Sequence, residues 1–118
     1  MQEFSVTPRW LTNWLEREDA PALIDVRQRA SYQAAPDTIP GAIWRDPFAV
    51  GEWASELSPQ RDVVVFCGLG HEVGRAARDL LAALGYRAWY LAGGLEKWKA
   101  TGGPTALTAN IARQRIAS

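Results

Sequence analysis

The feature that most constrains the fold is an unbroken apolar run in the middle of the chain. Residues 62–67 read DVVVFC, so the run ends on the lone cysteine, Cys67. β-Branched and aromatic residues favour strands, and a strand that is apolar at every position is typical of a parallel sheet buried on both faces. Because parallel strands need crossover connections, usually helices, the run predicts an α/β protein in which strands and helices alternate.

The rest of the chain follows this alternation. Further strands are predicted at 4–6, 22–26, 42–44 and 87–91, helices at 8–17, 29–35, part of 47–57, 72–84 and 93–98, and a turn or loop at 36–41. Thr7 suits the N-cap of the first helix, and Pro8 suits its first position. Four apolar residues of this helix recur at helical spacing and are predicted to face the core: Trp10, Leu11, Trp14 and Leu15.

Size and charge narrow the class of protein. A chain of 118 residues with 47% apolar residues is expected to form one domain. Its formal net charge is zero, so neither nucleic acid nor a membrane surface is expected as a partner. The start of the chain lacks the basic and apolar regions of a leader, and no stretch is long and apolar enough to span a membrane, which predicts a cytoplasmic protein. One cysteine and one histidine exclude an internal disulfide and a structural zinc site.

Cys67 is placed where chemistry is expected in such a fold. Ligands of open α/β sheets bind beyond the carboxyl ends of the strands, where loops lead into helices. Gly68 and Gly70 allow the loop after Cys67 to curl with its N–H groups inward, and the helix predicted to begin near Glu72 adds a positive partial charge. We therefore expect the pKa of the thiol to fall from about 8.5 toward roughly 7 or below. The alternative is that Cys67 is a small apolar core residue that ends a strand.

Several short motifs resemble those of the rhodanese-like domains. They lie in the family's order and span roughly residues 4–104: Asp25-Val26-Arg27, Ile39-Pro40-Gly41-Ala42, Cys67 with Gly70 at the fourth position of its loop, Gly93-Gly94-Leu95 followed by Trp98, and Thr101-Gly102 followed by Pro104. The resemblance implies a three-layer fold with a mostly parallel five-stranded sheet flanked by helices on both faces. It also implies a domain over 1–104, with 105–118 as a helix or tail packed on or trailing it.

The resemblance further implies a sulfurtransferase. Cys67 would accept sulfane sulfur from thiosulfate or a persulfide and pass it, as a persulfide, to cyanide or a thiol, with no metal or organic cofactor. Its implied partners are a small-molecule sulfur donor and a thiol acceptor, with a sulfur-carrier protein as a further candidate, and the protein would be a monomer or a weak dimer. The N–H groups of the loop would bind negative charge on sulfur. That loop comprises Gly68, Leu69, Gly70, His71, Glu72 and Val73.

The sequence departs from the family at informative positions. Thr38 replaces the usual histidine before Ile39, and the loop carries His71 and Glu72 where many thiosulfate-using members have Lys, Arg or hydroxyl residues. Glu72 is interpreted as an exposed residue of the helix N-terminus, although a carboxylate at this place would oppose an anionic donor. His71 is either an exposed loop residue or a proton donor or switch at the rim of the pocket.

Asp25 and Arg27 are predicted near the Cys67 loop because they end a neighbouring strand. They would either brace the loop or contact substrate.

Two other functions use a cysteine in such a loop. A cysteine phosphatase or arsenate reductase needs an arginine that closes the loop around a tetrahedral anion, but the first arginine after Cys67 is Arg75, inside the predicted helix. The second alternative is a non-enzymatic interaction or redox-sensing module, in which the thiol is occupied or oxidised.

Overall fold

A parallel sheet of five strands forms the centre of the protein. The computed structural model describes residues 4–69 and 72–109. The strands of this sheet are β1 (Ser5–Val6), β2 (Ala22–Asp25), β4 (Ile43–Trp44), β5 (Val63–Phe66) and β6 (Ala88–Leu91), and a further short strand, β3 (Asp37–Thr38), lies outside it. Their order is β1-β6-β5-β2-β4, and each neighbouring pair is parallel. The predicted parallel α/β sheet is therefore confirmed.

Helices cover both faces of this sheet. They are α1 (Pro8–Leu15), α2 (Arg29–Ala34), α3 (Val50–Trp53), α4 (Glu72–Ala83) and α5 (Gly94–Ala100), with a 3₁₀ turn at Ala54–Glu56. The predicted start of α1 is correct, because the Thr7 hydroxyl accepts a hydrogen bond from the backbone N–H of Trp10 at 3.1 Å. Pro8 is the first residue of this helix.

The central strand β5 separates two hydrophobic cores. Val63 and Val65 point into a core shared with α3 and α4. Val64 and Phe66 point into the opposite core, which contains Leu11 of α1 and Trp98 of α5. The alternation follows from the period of two of a strand, and it explains why this strand is apolar at every position.

Helix α1 differs from its predicted orientation at one residue. Leu11 is fully buried and Trp14 and Leu15 are half-buried, but Trp10 is 62% exposed. Strand β1 is the outermost strand, so the sheet does not extend far enough to cover the whole apolar face of α1. Helical spacing identified the apolar face of α1, but how much of that face the rest of the domain buries depends on the tertiary structure.

A second, two-stranded sheet changes the interpretation of two segments. β3 lies inside the segment predicted as a turn or loop at 36–41, and it pairs antiparallel with β7 (Ala106–Leu107). Residues 106–107 of the predicted helix or tail at 105–118 are thus a strand packed on the domain. Each strand has only two residues and therefore no readable period. Residues 110–118 lie outside the described residues.

Within residues 4–69 and 72–109, no helix combines the length and the apolar composition required to cross a membrane.

Candidate active site

Cys67 lies at the carboxyl edge of the central sheet. It directly follows Phe66, the last residue of β5, and only 7% of it is exposed. Phe66 is paired in register with Asp25, the last residue of β2. Cys67 and the Asp25–Arg27 motif are therefore neighbours at the carboxyl edge of the sheet, as predicted from their positions at the ends of strands.

The N-terminus of α5 holds the first residues of the Cys67 loop. The backbone N–H of Leu95 donates to the carbonyl oxygen of Cys67 at 2.8 Å, and that of Glu96 donates to the carbonyl oxygen of Gly68 at 2.9 Å. Gly94 begins this helix with φ of +61°. A Cβ atom there would lie 2.5 Å from the Cys67 oxygen and 2.9 Å from the Gly68 oxygen. The close approach of the two backbones therefore requires glycine at position 94.

Helix α4 provides the contact with the sulfur itself. The backbone N–H of Gly74, in the first turn, donates a hydrogen bond to Cys67. A Cβ atom on Gly74 would lie 3.7 Å from Cys67 Sγ, so the helix packs closely against the thiol. On its other side, Sγ lies 3.9 Å from the carbonyl oxygen of Leu69, to which the thiol donates weakly.

The pKa of Cys67 does not follow the sequence-based expectation. Burial raises the pKa of the Cys67 thiol above its ordinary value, and the hydrogen bonds from the backbone N–H groups of Gly74 and Cys67 lower it by less. The negative charge of Asp25 adds to the increase. The predicted helix terminus is present, but the loss of water around the sulfur outweighs its donors, so the expected decrease in pKa was wrong.

The remaining loop residues occupy different environments. Leu69 is 81% exposed, and Glu72 is exposed in the first turn of α4, as its interpretation as a helix-terminus residue predicted. Val73, the second residue of α4, is half-buried and packs against the core that this helix shares with β5. Gly70 and His71 lie outside the described residues, so the complete ring of N–H groups and the role of His71 stay predictions.

Asp25 and Arg27 form a buried ion pair beside this loop. Arg27 Nη2 lies 2.7 Å from Asp25 Oδ2, and Arg27 Nε donates to both carboxylate oxygens at 3.0 and 3.1 Å. The hydroxyl of Thr38 donates to Asp25 Oδ2 at 2.9 Å. The exposed fractions of the three residues are 0% for Asp25, 5% for Arg27 and 7% for Thr38. Thr38, which replaces the family's histidine, thus anchors the carboxylate from the neighbouring segment.

The ion pair connects the loop to the rest of the domain. Arg27 Nη2 also donates to the carbonyl oxygen of Asp37 at 2.9 Å, and Lys99 of α5 pairs with the Asp37 carboxylate at 3.1 Å. The aliphatic part of Arg27 packs against Gly68, since a Cβ atom on that glycine would lie 3.6 Å from Arg27 Cδ. The guanidinium of Arg27 is thus bound to Asp25 and Asp37, while its role toward substrate stays a prediction.

Three contributors to the site were missed by the sequence analysis. Gly74 was treated as part of a helix, Thr38 only as a departure from a motif, and the Gly93-Gly94 pair only as part of a motif. The sequence did carry a signal for Gly94, because two successive glycines permit the positive φ and the close backbone approach that the structure shows there. The contact between these two glycines and the Cys67 loop depends on how α5 packs, which no neighbouring residue in the sequence indicates.

Within the described part of the chain, no three His, Cys, Asp or Glu side chains lie close enough together to hold a metal ion.

Comparisons with known proteins agree with this geometry. The family model of the Rhodanese-like domain matches residues 7–101. No curated protein sequence matches the chain significantly. Among solved structures, a full-length protein from Lactobacillus plantarum has a TM-score of 0.79 and 28% identity, with 89% of this chain and 88% of that chain covered. The Alr3790 protein from Anabaena sp. has a TM-score of 0.76 and 33% identity, with coverage of 93% and 87%.

The name of one further similar structure includes an enzymatic activity. The thiosulfate sulfurtransferase from Pseudomonas aeruginosa has a TM-score of 0.75 and 27% identity to this chain. The match covers 89% of this chain but only 19% of that protein, so the likeness concerns one part of a much longer polypeptide.

Proposed function

Because the chain belongs to the rhodanese-like domain family, we propose that it is a sulfurtransferase in which Cys67 carries sulfane sulfur as a persulfide. The observation that carries this proposal is the position of the sulfur. Cys67 Sγ lies at the carboxyl edge of the central strand with the N–H of Gly74, from the first turn of α4, donating to it. A donor fixed in this way stabilises negative charge on the thiolate and on the inner sulfur of a persulfide.

The reaction consists of two displacements at sulfur. After losing its proton, the Cys67 thiolate attacks the outer sulfur of the donor; with thiosulfate, a new S–S bond forms and sulfite leaves with the electrons of the broken bond. Cyanide or a thiolate then attacks the outer sulfur of the Cys67 persulfide, taking that sulfur and returning the Cys67 thiolate. Each step conserves charge, and the protein supplies the nucleophile and its hydrogen-bond donors.

The charges around the loop favour a persulfide donor over thiosulfate. Thiosulfate is a dianion that needs a positive partner, but the guanidinium of Arg27, the buried base beside the loop, is already paired with Asp25. The Asp25 carboxylate also raises the pKa of the Cys67 thiol, which shows its negative influence at the sulfur. We infer a donor with less negative charge at its leaving group, such as a low-molecular-weight persulfide.

Steady-state sulfur transfer with matched donors tests the proposal. Thiosulfate and glutathione persulfide are each supplied with cyanide or a thiol as acceptor, and the wild-type protein is compared with Cys67→Ser and Leu84→Ala. We expect turnover by the wild type and by Leu84→Ala, faster with the persulfide, and none by Cys67→Ser. Leu84→Ala is the control because it changes an exposed leucine that follows α4, at the end of the helix away from the loop.

One observation favours the non-enzymatic module as the second candidate. A thiol that is 7% exposed, with its pKa raised by burial, reacts slowly at neutral pH, while the adjacent Leu69 is 81% exposed and available to another protein. Absence of turnover with either donor, in a protein that unfolds cooperatively, would support this candidate. The raised pKa argues against redox sensing, since oxidation follows thiolate character.

A further inference from the structure

A cavity with tryptophans in its wall lies at the β1 edge of the sheet. It has a volume of about 460 Å³ and lies between α1, the outer strand β1 and the beginning of β6. Asp62, at one side of it, precedes the first residue of β5, whereas Cys67 follows the last. The lining residues on which its chemistry depends are Trp10, Trp14, Trp89, Arg17, Asp19 and Asp62. Its volume is in the range of about 300–1,000 Å³ that is usual for small-molecule sites.

Hydrogen bonds fix two of the three indoles. Trp14 Nε1 donates to the carbonyl oxygen of Asp19, and Trp89 Nε1 donates to Asp62 Oδ1, each at 3.1 Å. The two rings are nearly perpendicular, at 84°, with their centres 6.2 Å apart. Because these N–H groups are already bonded, Trp14 and Trp89 contribute aromatic ring surface to the wall rather than hydrogen-bond donors, and Phe4 packs against Trp89 with the ring centres 6.1 Å apart.

Trp10 completes the wall at an energetic cost. It is 62% exposed on α1, although burying an indole is normally favourable. Its position beside the two fixed indoles is the arrangement expected of a wall that a ligand covers.

The charges of the lining disfavour an anion. Among the described lining residues Arg17 is the only base, and Asp19 neutralises it through two hydrogen bonds, at 2.8 and 2.9 Å. Asp62 is the second carboxylate and is shared with Arg87 at 3.3 Å. The described lining therefore holds two carboxylates, Asp19 and Asp62, against one base. A positive ligand is therefore attracted both by the local excess of acid and by the negative π faces.

We propose that this cavity binds a small quaternary ammonium ion. Its charge is spread over methyl groups that need no hydrogen-bond donor or acceptor, so it matches a wall of indoles whose N–H groups are already occupied. Recognition of such ions by aromatic walls is a known use of the cation–π interaction. The site is separate from Cys67 and does not depend on the sulfur chemistry.

Calorimetric titration of the full chain with choline tests this site. The control ligand is 3,3-dimethylbutan-1-ol, which has the same shape with carbon in place of the charged nitrogen. We expect saturable choline binding and at least about tenfold weaker binding of the alcohol. Equal affinities for the two ligands, or no saturable heat with choline, would overturn the proposal.

Two variants locate the binding. Trp10→Ala removes an exposed side chain and is expected to weaken choline binding by about tenfold without changing the unfolding midpoint. Phe48→Ala removes another exposed aromatic residue, 77% exposed and following β4 at the other end of the sheet, and is expected to bind choline like the wild type. Unchanged binding by Trp10→Ala, or equal losses in both variants, would contradict a site at this cavity.

Discussion

Gly94→Ala tests how the N-terminus of α5 holds the Cys67 loop. The alanine Cβ would lie 2.5 Å from the Cys67 carbonyl oxygen and 2.9 Å from that of Gly68, and the backbone has φ of +61°. The left-handed conformation costs alanine about 1–2 kcal/mol. Displacing closely packed backbone adds about 1–3 kcal/mol. We therefore expect the free energy of unfolding to fall by roughly 2–5 kcal/mol, the sum of these two effects.

Gly85→Ala is the matched control for this prediction. Gly85 has φ of +97°, but a Cβ atom there would meet nothing within 4 Å. The free energy of unfolding of Gly85→Ala should therefore fall only by the cost of the left-handed conformation, about 1–2 kcal/mol. Urea unfolding of both variants gives the difference, and alkylation of Cys67 under native conditions should be faster only in Gly94→Ala, because only there the loop moves. Equal destabilisation with equal alkylation rates would refute the proposed hold of α5 on the loop.

Three further predictions follow from the site. Arg27→Ala leaves the Asp25 carboxylate buried without its charge partner and should lower the free energy of unfolding by about 3–5 kcal/mol. Thr38→Val removes only a hydrogen bond to that carboxylate and should lower the free energy of unfolding by about 1–3 kcal/mol. Urea unfolding measures both losses, and a larger loss for Thr38→Val than for Arg27→Ala would contradict the network. Because burial raises the pKa of Cys67, its alkylation rate should still be rising at pH values where an exposed thiol has levelled off, and a plateau near neutral pH would contradict this. Leu69→Ala should change the unfolding free energy by less than about 0.5 kcal/mol, since that side chain is exposed, and a larger loss would mean that Leu69 packs against the domain.

The raised pKa of Cys67 has a defined effect on stability. The folded state holds the thiol proton more tightly than the unfolded chain does, so this contribution to stability is fully present below the unfolded pKa. It is lost as the pH rises through the higher folded pKa. Cys67→Ser should remove this part of the alkaline pH dependence of stability.

Patterns of neighbouring residues were sufficient to predict the central strand and the beginning of the first helix. The apolar run of β5 predicted a strand buried on both faces, and Thr7 with Pro8 predicted the beginning of α1. The same kind of signal placed Cys67 at the end of a strand, ahead of a helix that begins at Glu72. In each case the deciding property, strand period or helix capping, is carried by neighbouring residues.

The remainder depends on contacts between distant segments. β3 and β7 pair although each has two residues, and Trp10 is exposed because the sheet ends at β1. The pKa of Cys67 depends on how completely the fold excludes water from its sulfur, which the presence of a helix terminus does not determine. Sequence reasoning therefore predicted a helix terminus beside the thiol, but it identified neither Gly74 as the donor nor the balance between donors and burial.

The central claim is that Cys67 carries the transferred sulfur, and intact-mass measurement tests it most directly. The wild type and Cys67→Ser are incubated with glutathione persulfide or thiosulfate, and the excess donor is removed. The intact mass of each protein is then measured before and after addition of cyanide. The account predicts a gain of one sulfur atom by the wild type alone, larger in yield with the persulfide, and its complete loss on addition of cyanide. An identical gain by Cys67→Ser, or no gain by a folded wild-type protein with either donor, would contradict the claim.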